Sequence, residues 1–99
     1  KKDVMNYGKQ LSNLVITHAD ETNKLIKDRS QNWDFDRITL IDKLILKMAL
    51  VEMIYINEVP PKVSIAEGVE IAKEFSTEDS SSFINGILDS VYNEMILKK

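Results

Sequence analysis

The residues that could give this chain enzymatic or metal chemistry are one histidine, His18, and the carboxylates Glu52, Glu67, Glu70 and Glu74. A hydrolytic triad needs a nucleophile, a base and an orienting acid. His18 is the sole histidine, and it lies on an apolar stripe with Leu11, Leu14 and Val15. A histidine there is ordinarily a core or boundary residue. No serine sits in the strained strand-to-helix turn that hydrolases use. Glu67, Glu70 and Glu74 have helical spacing, but no histidine accompanies them as a di-iron bundle requires. A solvated helix face is the simpler reading. The three glycines, Gly8, Gly68 and Gly86, each stand alone, so no phosphate-cradling loop forms. Cysteine is absent, which excludes a disulfide scaffold and a thiolate metal site. The expectation is a binding module with no catalytic residue, no cofactor and no metal. Glu52 falls between Met48 and Tyr55 on an apolar stripe. A carboxylate there is costly unless paired or hydrogen-bonded. It is expected to accept from a hydroxyl or cap another helix, with an acid at an interface as the other reading.

These residues must be held by helices. The chain has 99 residues, 43% of them hydrophobic, and a net charge of −3. That suits a single domain over residues 1–99. Apolar residues recur at helical spacing from Asp3 to Asp28, predicting one long surface helix. Ser30 to Asp36 read as a connector, with Trp33 and Phe35 clamping it down and Asp36 as the next N-cap. Arg37 to Ile56 form a central helix whose broad apolar arc includes Ile38, Ile41, Ile45 and Met48. It should end near Asn57, before Pro60-Pro61. Ser64 and Glu67 have the spacing of a capping box, predicting a helix over Ile65–Phe75 that buries Val69, Ala72 and Phe75. Ser76 to Asp79 form a second cap cluster. The last helix should then bury Phe83, Ile84, Ile87, Leu88, Val91 and Met95, with Lys98-Lys99 suiting the negative end of its dipole. Gly86 inside it suggests a close backbone approach. No run alternates as a strand would, so the fold class is all-α with four main helices.

Charge is unevenly spread. Residues 1–29 carry six bases and four acids, while residues 60–99 carry four bases and seven acids. No region binds polyanions by charge alone. No stretch approaches the apolar length of a membrane span, and no signal peptide is visible.

Three blocks carry a resemblance. The central helix reads D-K-L-I-L-K-M-A-L-V-E-M. V-P-P-K-V-S-I-A-E-G-V-E-I-A-K-E-F follows, and then T-E-D-S-S-S-F-I-N-G-I-L-D. This succession resembles the NusB family of bacterial transcription antitermination factors, most specifically from Glu78 to Asp89. The resemblance implies an all-helical bundle in the cytoplasm that binds boxA-type RNA of ribosomal leaders. It implies binding together with the ribosomal protein NusE, within the RNA polymerase antitermination complex. The family's opening helix, with its arginine-rich start, has no counterpart here. The chain therefore reads as the C-terminal portion of a longer protein, and an exposed face could be covered by a second copy in a homodimer.

By the same resemblance, Phe83 corresponds to an aromatic that stacks on an RNA base, although its stripe also suits the core. Asp79 falls near the RNA and partner surface, or serves as a helix cap. Lys43 and Lys47, one turn apart, meet phosphates or are simply solvated. Lys47 replaces a common arginine, which weakens bidentate contact. Asp42 corresponds to a contact to NusE and is expected to face outward, with Ile41 and Ile45 inward. Two rival readings remain. One is an RNA-binding accessory domain of an rRNA cytosine methyltransferase, against which the lysine ending without a linker argues. The other is a helical domain that contacts protein only, in keeping with the negative charge.

Overall fold

The computed structural model describes residues 2–30, 39–56, 58–76 and 78–97. These form α1 (Lys2–Thr17), α2 (Ala19–Arg29), α3 (Leu40–Tyr55), α4 (Pro61–Phe75) and α5 (Glu78–Val91), followed by a π-helical segment, Tyr92–Leu97. No strand occurs among the described residues. The expected roles of Trp33, Phe35, Asp36, Ile38 and the closing lysines lie outside them, as do Asn57 and Thr77.

The first helix is two. Its axis breaks at His18, whose backbone (φ −107°, ψ 23°) leaves the helical well. The hydrogen-bond ladder nevertheless continues, with the Thr22 N–H bonding the His18 carbonyl at 2.9 Å. The buried Thr22 hydroxyl also donates to the carbonyls of His18 and Ala19, both at 3.1 Å. Such back-bonding by threonine bends helices. His18 itself stacks on the Tyr55 ring, with centroids 4.0 Å apart. That contact fixes the bend against α3.

Thr39 opens α3, its hydroxyl oxygen accepting from the Asp42 N–H at 3.1 Å. This is N-capping, which satisfies an amide that the helix cannot. α4 starts earlier than the Ser64–Glu67 spacing predicts. Pro60 is its N-cap and Pro61 its first residue, a position where a fixed φ and a missing N–H cost nothing. Ser64 is thereby placed inside the helix and buried. Ser76 ends α4 through its N–H to the Ala72 carbonyl at 2.8 Å.

The interior has two parts. The larger joins Ile26 of α2 with Leu46 and Leu50 of α3, Ala72 of α4 and Ile84 and Leu88 of α5. All of the predicted α5 stripe is there, Met95 packing at its margin. The smaller joins Leu11 of α1 to Val51 and Ile56, with Tyr7, Leu14 and Tyr55 around it. Gly68 marks the close approach of α4 to its neighbours. A Cβ there would stand 3.6 Å from Ala49 Cβ and 3.4 Å from Leu88 Cδ1. Gly86 faces open space instead, contrary to the close approach expected there. Phe75 was expected inside. It is the last residue of α4 and is 65% exposed. Arg29 ties α2 to the terminal π-helical segment, its guanidinium 2.6 Å from Glu94 Oε2.

Candidate functional site

The start of α3 meets the start of α5. Asp42, in the first turn of α3, is only 3% exposed, and Ser80 of α5 donates to its Oδ2 at 2.8 Å. Asp42 therefore faces inward, against the expectation of an outward contact. The reason is helical phase: Asp42 lines up with Ile45, Leu46, Ala49 and Met53, all buried. Ile41 takes the outward place and is 47% exposed. Asp42 Oδ1 is buried without a hydrogen-bond partner, an uncommon condition for a carboxylate oxygen.

The other sequence candidates lie on the same two helices. Lys43 and Lys47 are half-buried on α3, and Asp79, beside Ser80, is exposed. Phe83 lies one turn further along α5 and is 4% exposed, packed in the larger core. Asp79 and Phe83 are four residues apart on α5, so they are successive positions on one side of the helix. The structure thus brings Asp42, Asp79 and Phe83 to one end of the bundle, with Lys43 adjacent in sequence to Asp42.

Glu52 accepts two hydroxyl hydrogen bonds, from Tyr7 of α1 at 2.5 Å and from Ser64 of α4 at 2.7 Å. This is the hydroxyl-bonding role expected from its place on the stripe. Burial and the Glu52 carboxylate together push the Tyr7 phenol far above its ordinary range. Tyr55 likewise donates to Glu21. That bond first, and burial second, push its phenol up to about 12. Of the acidic face on α4, Glu70 pairs with Lys73 at 3.6 Å and both are exposed.

Two surface features were not anticipated. Leu40, Ile41, Leu44 and Met48 form an exposed apolar strip on α3, with Leu40 73% exposed. Beside it, a cleft of about 250 Å³ runs between α3 and α4, floored by Leu11, Ile45 and Gly68 and bordered by Ile71. Its charged lining residues are Glu52 and Glu67. The breadth of the apolar arc in the sequence is the available signal, and it corresponds to an exposed strip rather than to burial on several sides. A second, more polar groove of about 550 Å³ separates α4 from α5, with Lys62, Lys73, Ser82 and Asn85 along it. Among the described residues no helix is long and apolar enough to cross a membrane.

A family model described as the NusB family matches residues 1–93. The transcription antitermination protein NusB of Chloroherpeton thalassium is 45% identical over 86 residues, covering 87% of this chain and 41% of that protein. The transcription antitermination protein NusB of Myxococcus xanthus is 42% identical over 89 residues, covering 90% of this chain and 64% of that protein. The chain spans less than two thirds of the length of either relative.

Proposed function

The chain belongs to the NusB family, and from that premise we propose that it is a non-catalytic, cytoplasmic RNA- and protein-binding module of transcription antitermination. Its ligands in this reading are boxA-type leader RNA and the ribosomal protein NusE, within the antitermination complex on RNA polymerase. The observation that carries the reading is the meeting of α3 and α5 at Asp42 and Ser80, in the part of the chain where both relatives named for antitermination align. Lys43 and Lys47 would meet phosphates along α3, and Asp79 would stand at the RNA edge of α5. Phe83, buried in the larger core, would hold that edge from within, the core reading of the two its position allows.

The test is titration with labelled boxA RNA, with and without NusE, at two salt concentrations. Binding strengthened by NusE is the expected result. Each lysine that meets a phosphate of a single strand contributes about 0.7 unit to the slope of log affinity against log salt. Replacing Lys43 and Lys47 with alanine should lower that slope by about 1–2 units. A slope unchanged by both substitutions would remove the lysines from the RNA surface. No binding to RNA or to NusE by this chain would overturn the reading as a whole.

A homodimer is the second partner reading, and the exposed face of α3 and α4 favours it. Helical spacing sets Lys47 along the α3 edge of the apolar strip and Glu67 and Glu74 along the α4 edge. Two copies related by a two-fold axis would lay each basic edge against the other's acidic edge. Sedimentation over a range of concentrations tests this. Leu44→Glu with Met48→Glu should shift the chain to monomer, and a chain that is monomeric without them rules the dimer out.

A further inference from the structure

We infer that Asp42 is a positioning residue: from the first turn of α3 it fixes the first turn of α5, and so sets where Asp79 is presented to RNA. The inference rests on the RNA-binding reading above and deepens it.

Four observations meet at this residue. Asp42 is 3% exposed, so it cannot also be a broad contact to a protein partner. Its Oδ2 accepts from Ser80 at 2.8 Å, a hydrogen bond spanning 38 residues of sequence. Its own backbone N–H is held by Thr39 at 3.1 Å, so the carboxylate hangs from a capped, registered helix start. Ser80 immediately follows Asp79, whose side chain is exposed.

A charged acceptor makes a stronger hydrogen bond than a neutral one, and more so away from water. The pin therefore joins two surfaces, one bearing Lys43 and Lys47 and the other bearing Asp79, into a single rigid edge. A ligand that spans both helices then finds its contacts already in place and loses less freedom on binding. Phe83, one turn further along α5, is buried in the larger core cluster and anchors the helix there.

The test uses the whole chain with Asp42→Ala, Asp42→Asn, Ser80→Ala and the double variant Asp42→Ala with Ser80→Ala. Three readouts are taken: amide hydrogen exchange of residues 78–83 without ligand, affinity for labelled boxA RNA with and without NusE, and affinity for NusE without RNA. Asp42→Ala and Ser80→Ala should each speed exchange in that turn and weaken RNA binding about tenfold, and the double variant should be no weaker than either, as expected for two ends of one contact. Asparagine keeps an oxygen for Ser80 and should restore most of both, which also covers the case in which Asp42→Ala fails to fold. Losses that add, or an exchange rate in residues 78–83 unmoved by Asp42→Ala, would overturn the pin. Weakened binding to NusE alone, with RNA affinity intact, would make Asp42 a partner residue instead. Absence of RNA binding by the unsubstituted chain would overturn the functional reading, while the exchange rates would still report on the pin itself.

Discussion

Tyr7 in α1 donates a hydrogen bond to Glu52 in α3 across 45 residues of sequence. The second oxygen of the same carboxylate accepts from Ser64 in α4. One side chain thus fastens three helices. Removing it leaves two hydroxyls without their acceptor. Glu52→Ala should destabilise the fold by about 2–3 kcal/mol and Tyr7→Phe by about 1–2 kcal/mol, given the usual worth of hydrogen bonds to charged groups. Urea denaturation of the two variants checks the order. Equal stability of Tyr7→Phe and the parent would mean that this bond contributes nothing net.

Alkaline pH should loosen the same region. The Tyr55 phenol titrates near 12 in the fold against an ordinary value of 10.0. A raised value means that the fold favours the protonated phenol. The stabilisation is complete below pH 10 and is lost as pH climbs towards 12. Tyr7 shifts in the same direction. Stability measured from neutral pH upward should fall across this window, and Tyr55→Phe should flatten part of the fall. A tyrosinate absorbance that rises at the ordinary value for all three tyrosines would contradict it.

Gly86 sits within α5 with nothing near the space a Cβ would fill. Alanine there removes the conformational cost of glycine, about 1 kcal/mol in a helix interior. For a domain of this size Gly86→Ala should raise the melting temperature by about 4–8 °C. Gly68 is the contrasting site. A valine there must push against Leu88 and Ala49, and Gly68→Val should cost about 1–3 kcal/mol through overpacking. Thermal melts of both variants decide, and a Gly86→Ala that melts lower than the parent would place an unseen constraint on α5.

Phe83 should behave as core. Phe83→Ala is expected to cost about 3–5 kcal/mol, enough to unfold a marginal domain. Phe83→Leu keeps an apolar side chain in the cavity and should leave both the fold and RNA affinity in place. If Phe83→Leu is as stable as the parent and yet fails to bind RNA, the ring itself touches the base.

The buried face of the last helix was legible in the sequence because α5 has one narrow stripe, and Phe83, Ile84, Ile87, Leu88 and Val91 all fall on it, whereas the open space at Gly86 and the π-helical ending were not. The central helix was legible in existence but not in phase. Its apolar residues cover so much of the circumference that Ile41 and Asp42 could not be ordered by hydrophobicity alone. The outward placing of Asp42 came from the resemblance, whereas its spacing with the buried Ile45, Leu46 and Ala49 puts it on the inward face. The Ser64–Glu67 spacing matched a cap, yet Pro61 had the stronger claim on the helix start because proline suits its first position. The bend at His18 depends on a hydroxyl of Thr22 and a ring from Tyr55, the latter 37 positions away in sequence, and no local pattern reports a contact of that kind. Of the candidate site, residue types and helices could be read beforehand, while the pairing of Asp42 with Ser80 required tertiary structure.

The division of the interior into two clusters gives the native state a seam. α1 rests chiefly on α3 through Leu11, Val51 and Ile56, whereas α2, α3, α4 and α5 close around a separate and larger cluster. Helices attached through one small cluster open at lower free energy than those locked in the main one. α1, held by the small cluster and by the Tyr7–Glu52 bond, is therefore expected to exchange its amides sooner than α3 to α5, which leaves the remaining helices as a smaller cooperative unit.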